Sequence, residues 1–185
     1  MTIMRGTSPT PAEQEMMALG IVDGGGSPAS SETVAGEHSR GKVPLRRVSA
    51  GTVLNEAYDY LKPSSFSRAV AFDIADTKIL LVSGTASVGS RGETLHTGDF
   101  DAQLWRTYRN ITELLEGDGM TWHHVVLTHN YLRDIERDYE AFNRIRTQFY
   151  SWLGLDPLPA SLGIQAILCR PDLLVEISAV AIRRR

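Results

Sequence analysis

Glu176 sits inside an apolar run, Leu173-Leu174-Val175-Glu176-Ile177-Ser178-Ala179-Val180-Ala181. A carboxylate in such surroundings is costly unless paired or protonated, and burial raises its pKa. A raised pKa suits a general acid near neutral pH. Hydrolysis of an enol ether, or tautomerisation of an enamine, needs one proton delivered to a methylene carbon and then attack by water. One carboxyl can do both in turn. The plainer reading is a rim glutamate paired with an arginine. Cys169 lies seven residues upstream, and the turn at Pro171-Asp172 can bring the two together. It is either a nucleophile, which needs an electropositive setting, or a small core residue. Arg170 either holds a substrate carboxylate or caps its strand. His96 and the loop Ser83-Gly84-Thr85-Ala86-Ser87 can bind a carboxylate or hydroxyl, or the loop is held by its own turns. Gln103 is either a ligand contact or a tie between helix and loop.

Other chemistries find less support. His123, His124 and His129 fall on one predicted strand, with Val125 and Leu127 between the two that share a face. That is poor metal-ligand spacing. The single cysteine excludes an internal disulfide and a multi-cysteine zinc site. No phosphate loop, dinucleotide fingerprint or zinc motif is present, so no cofactor is expected. The 185 residues carry 19 Lys+Arg against 22 Asp+Glu, a formal net charge of −3. That balance argues against a nucleic-acid partner, and the short clusters Arg46-Arg47 and Arg183-Arg184-Arg185 do not change it. No apolar run approaches the ~20 residues of a membrane span. Glu13 and Glu15 precede the early apolar stretch 16–22, where a signal peptide wants positive charge. A soluble, cytoplasmic protein with no membrane partner is expected.

The scaffold that must position these residues begins near residue 43. Before it, Gly24-Gly25-Gly26 and Ser27-Pro28-Ala29-Ser30-Ser31 interrupt scattered charge, and the first aromatic residue is Tyr58. Such a segment cannot bury enough apolar surface to offset its chain entropy. Residues 1–42 are predicted to be a flexible tail with a candidate helical turn at 13–22, and residues 43–185 the folded domain. Residues 69–74 and 78–83 read as a hairpin. Phe100, Leu104, Tyr108, Ile111 and Leu115 recur at intervals of three and four, giving a helix over 99–116 capped by Asp99 or Asp101 and stopped by Gly117 and Gly119. Residues 122–132 read as a strand. Residues 137–153 read as a second helix with Tyr139, Phe142, Ile145, Phe149 and Trp152 on one side. Strands are expected at 162–169 and 173–182, joined by a tight turn at Pro171-Asp172, and one more near 43–48. The order β-β-α-β-α-β-β predicts an α/β (α+β) fold, a mixed sheet with two helices on one face. The last strand is apolar on both faces, and two helices cover only one. The other face is expected to be buried against copies of the chain, in a homo-oligomer.

The string Leu81-Val82-Ser83-Gly84-Thr85-Ala86-Ser87, followed by Gly98-Asp99, Gln103 and Asn110-Ile111, resembles the RidA/YjgF/UK114 superfamily. So do Ser67-Arg68-Ala69-Val70, Asn143, Pro159-Ala160 and Val175-Glu176-Ile177. The resemblance implies a chorismate-mutase-like fold and a homotrimer with ligand sites in clefts between subunits. His96, Gln165-Ala166, Cys169-Arg170 and Asp172-Leu173-Leu174-Val175-Glu176 are also similar to the C-terminal half of chorismatases, which hydrolyse chorismate and release pyruvate. Chorismatases carry a further N-terminal domain where this sequence has its tail. RidA-type imine deaminases carry an arginine after Pro-Ala that anchors the substrate carboxylate, whereas here Ser161 follows, with neither charge nor fork. In that branch the glutamate matched by Glu176 orients water or shuttles a proton. The likeness implies a hydrolase or lyase of specialised metabolism acting on a small carboxylated enol ether or enamine. Glu176 and Cys169 would be catalytic, with Arg170, Ser83, Gly84, Thr85, His96, Gln103 and Ser161 about the substrate. The alternatives are an imine or enamine deaminase with altered anchoring, and a non-catalytic trimer that binds a ligand or partner.

Overall fold

In the computed structural model, which describes residues 42–50 and 53–185, there are six strands: β1 (Arg46–Val48), β2 (Ala69–Ile74), β3 (Thr77–Ala86), β4 (Val125–Leu132), β5 (Ala160–Gln165) and β6 (Val175–Arg184). Helix α1 (Phe100–Glu116) joins β3 to β4, and α2 (Ile135–Leu153) joins β4 to β5. The strands form one mixed sheet in the order β1-β2-β3-β6-β4-β5. Its neighbours are antiparallel except β4 and β5, which run parallel with α2 as their crossover. Residues Val43–Arg185 make up one compact unit. The expectations for the tail, including its helical turn, fall almost wholly outside the described residues.

The helices start and stop where their capping residues dictate. The Asp99 carboxylate accepts the Ala102 N–H at 3.0 Å, and the Asp134 carboxylate accepts the Arg137 N–H at 3.0 Å. Gly154, at φ 66°, ends α2 in the left-handed conformation. The stripe Phe100, Leu104, Tyr108, Ile111 and Leu115 is buried against the sheet. Tyr108 stacks on Phe149 of α2 with ring centroids 4.4 Å apart, and Trp122 meets Phe149 edge-on at 5.2 Å. In β6, Val175, Ile177, Ala179 and Ala181 face the helices and are buried. The opposite sheet face, with Leu81 and Ile182 about two-fifths exposed, has no helix across it among the described residues.

Several boundaries differ from the sequence expectation. Residues 122–124 form a 3-10 turn rather than the start of β4, because the Thr121 N–H is capped by Nδ1 of His124 at 3.0 Å. His123 and His124 therefore leave the strand that carries His129. Tyr139 and Trp152 are exposed rather than part of the buried stripe of α2. Tyr139 flanks that stripe toward Gly163 of β5, all six of whose residues are exposed. The strands on either side of Pro171-Asp172 do not form a hairpin, because β4 lies between them. β5 ends at Gln165, and the chain returns past the end of β4. There the Ala166 N–H donates to the Leu132 carbonyl, and the Arg133 N–H to the Leu174 carbonyl, each at 2.9 Å. Among the described residues no helix is long and apolar enough to cross a membrane.

Candidate active site

Glu176 is the second residue of β6, opposite Ala86 of β3 and Tyr131 of β4. Beside it β3 carries a bulge. Val82 pairs with Ala179 and Thr85 with Ile177, so that Ser83 and Gly84 together oppose Ser178. The Thr85 hydroxyl donates to the Ser83 carbonyl at 2.8 Å and closes the bulge. A Cβ on Gly84 would stand 2.0 Å from Oε1 of Glu176. The carboxyl thus lies flat on bare backbone, and only glycine leaves room for it. Burial pushes the Glu176 pKa above the ordinary carboxylate range, against a smaller downward pull from Arg68.

Glu176 looks into a cleft of about 900 Å³. One wall is the chain before β2, with Tyr60, Phe66 and Arg68. Another is the loop 89–94. Gly92, at φ 83°, lets this loop lie on the Tyr60 ring, which a Cβ would approach to 2.6 Å. The third is the returning segment with Cys169 and Arg170. Arg68 is 5% exposed. Its Nε donates to the Asn55 carbonyl at 3.1 Å, and its Nη2 to the Tyr60 hydroxyl at 2.6 Å. The guanidinium carbon sits 5.1 Å from the Tyr60 ring centroid and 5.2 Å from that of Phe66. Sequence reasoning gave Arg68 no role. Its signal was a cation placed immediately before an apolar strand, with two aromatic residues just upstream.

The structure brings Glu176, Cys169, Arg170 and Gly84 together at this cleft and leaves the other expected residues outside its lining. Sγ of Cys169 lies 4.0 Å from Oε2 of Glu176. Burial and the Glu176 charge push the thiol pKa up, against a pull from Arg170, so the sulfur keeps its proton rather than acting as a ready nucleophile. Arg170 is committed to the wall: its Nη1 donates to the Gly92 carbonyl and, at 3.4 Å, to the Thr94 hydroxyl. Ser83 donates its hydroxyl to the Ser67 carbonyl at 2.8 Å and its N–H to the Arg68 carbonyl at 3.0 Å, which fixes the backbone of Arg68. Thr85 is fully buried within the bulge. Gln103 is also fully buried and is a tie. Its Nε2 donates to the carbonyls of Asp172 and His96, and its Oε1 accepts the Leu174 N–H. His96 is an exposed loop residue at φ 58°, where its carbonyl, not its ring, does the bonding. Ser161 lies on β5, where its hydroxyl takes bonds from Asn130 at 3.0 Å and Arg146 at 2.8 Å. His129 bonds Ser178 across the open face at 3.3 Å. No group of three or more His, Cys, Asp or Glu side chains among the described residues could hold a metal ion.

A bulged mixed sheet, two helices on one face and a cleft at the head of the central strand define a small α+β fold. The family model described as Endoribonuclease L-PSP matches residues 61–183, and the chain belongs to that family, the RidA/YjgF group. It is 31% identical over 103 residues to the 3-aminoacrylate deaminase RutC of Acinetobacter baylyi, a match covering 56% of this chain and 78% of the relative. The crystal structure of the Escherichia coli YjgF gene product superposes with a TM-score of 0.60 at 20% identity, covering 75% of this chain and 99% of that one. A protein of unknown function from Pseudomonas aeruginosa superposes with a TM-score of 0.59 at 27% identity, covering 76% and 93%.

Proposed function

We propose that the chain is an acid–base enzyme that deaminates a small carboxylated enamine or imine, with Glu176 moving the protons. The observation that carries this reading is the Glu176 carboxyl, laid on Gly84 at the cleft wall and held above the ordinary pKa range by burial. Protonated Glu176 gives its proton to the terminal carbon of the enamine double bond. The nitrogen lone pair completes a C=N bond. The carboxylate then takes a proton from water as the water oxygen attacks the iminium carbon. The resulting carbinolamine transfers its hydroxyl proton to nitrogen and collapses to a carbonyl compound and ammonia. Glu176 ends protonated, as it began. The similarity to a protein named for deamination of 3-aminoacrylate supports this class of chemistry. A second reading is hydrolysis of an enol ether, as in the chorismatase likeness, and it uses the same carbon protonation with an alcohol as leaving group. The cleft volume favours it, because about 900 Å³ exceeds what a three-carbon acid fills. On both readings the working form is a homotrimer.

The test is a release assay on the purified chain. Ammonia is followed with an enamine generated in place, and pyruvate is followed with chorismate. Glu176→Gln keeps the shape and removes the titrating proton, so turnover should fall roughly 10²–10⁴-fold. Undiminished turnover in that variant would remove Glu176 from the mechanism.

A further inference from the structure

We propose that Arg68 is the anchor for the substrate carboxylate, a role that rests on the reading of the Glu176 cleft as the active site. A guanidinium carries five N–H donors. Arg68 commits Nε and one N–H of Nη2, both to neutral acceptors, and it makes no ion pair among the described residues. The nearby buried carboxylate of Glu56 does not serve it. One Glu56 oxygen takes the Ser49 hydroxyl at 2.6 Å, and the other takes the backbone N–H of Arg68 at 3.1 Å. A buried cation held only by neutral acceptors, with its charge reaching Glu176 but no carboxylate in direct contact, favours an anion placed beside it in the cleft.

The geometry is built for that anion. The Tyr60 and Phe66 rings hold the guanidinium between them, the Tyr60 hydroxyl and Asn55 carbonyl fix its rotation, and Ser83 fixes its backbone. Little conformational entropy is left to lose on binding. The remaining donors form a planar edge, which matches a carboxylate better than a point charge would. Of the other arginines lining the cleft, Arg170 spends Nη1 on the loop 92–94, and Arg91 pairs with Glu93 at 3.6 Å. Arg68 and Glu176 line the same cleft. The ligand class is therefore a small molecule with at least one carboxylate, whose reactive carbon lies on the Glu176 side.

The experiment is a titration of the full-length chain, by amide NMR shifts, with pyruvate, pyruvamide and inorganic phosphate. The wild type should bind pyruvate at least about 10-fold more tightly than the neutral amide or phosphate. Arg68→Gln should weaken pyruvate binding about 10–100-fold, with Arg68→Lys recovering part of it, while Arg144→Gln, at a residue that pairs with Asp101 outside the cleft, stays within about 3-fold. Equal binding of acid and amide, preference for phosphate, absent pyruvate binding, or undiminished binding in Arg68→Gln overturns the anchor. Should Arg68→Gln fail to fold, acid preference weakened in Arg68→Lys supports it, and acid preference undiminished in Arg68→Lys overturns it. Glu176→Gln separates the two proposals. Intact pyruvate binding with undiminished turnover in that variant overturns the acid–base reading alone. Lost turnover in Glu176→Gln, together with unchanged pyruvate binding in Arg68→Gln, overturns the anchor alone.

Discussion

Glu176 sets chemistry against stability. Its folded pKa is raised, so its contribution to stability is fully present below the unfolded value near 4.5 and is lost as pH rises through the folded value. Glu176→Gln should therefore raise the melting temperature by ~1–3 °C at neutral pH, a gain that vanishes near pH 4 in a calorimetric series. On the same logic, turnover that needs the protonated carboxyl should decline as pH rises past its raised pKa. Gly84→Ala should divide the two properties in the opposite sense. Its Cβ meets the end of a flexible side chain, so the fold should survive while the carboxyl is pushed aside. Turnover about 10-fold or more below wild type, at a melting temperature within a few degrees, is the expected result. Cys169→Ser should keep turnover within about 3-fold, since a thiol that holds its proton is replaced by a hydroxyl of similar size.

Gln103 does its work among the elements. From α1 it bonds the loop carbonyl of His96, the carbonyl of Asp172 and the N–H that begins the approach to β6. Gln103→Ala leaves buried backbone groups unpaired. It should lower stability by about 2–4 kcal/mol in a urea titration, with loss of turnover following from the misplaced head of β6. Both helices, the hairpin β2–β3 and the two-sided character of β6 were legible in the sequence, because each is written in local periodicity and capping residues. The insertion of β6 between β3 and β4 was not, since pairing of strands so far apart in the chain leaves no local mark. At the site, Glu176 stood out as a carboxylate in an apolar run, and Gly84 came with its loop. His96 and Gln103 were drawn toward the ligand because their side chains could bond one, and residue type alone does not tell a ligand contact from a backbone tie. Arg68 went unassigned because its isolation is three-dimensional: it follows from which acceptors lie around it.

At the scale of the molecule, the open sheet face makes association the expected state. Leu81 and Ile182 stand there with nothing across them among the described residues. Sedimentation equilibrium at micromolar concentration should give three times the chain mass, and a stable monomer would contradict the homotrimer. β6 also has a consequence in time. It is the last described strand to be made and the one strand that joins the two halves of the sheet, β1-β2-β3 on one side and β4-β5 on the other. Until it arrives, a growing chain holds two separate sheet fragments, each with a long unpaired edge of the kind that pairs with strangers. A chain interrupted before residue 175 should accordingly collect in inclusion bodies rather than as a smaller soluble form. During synthesis, the chain depends on whatever shields those two edges until its final strand closes the gap.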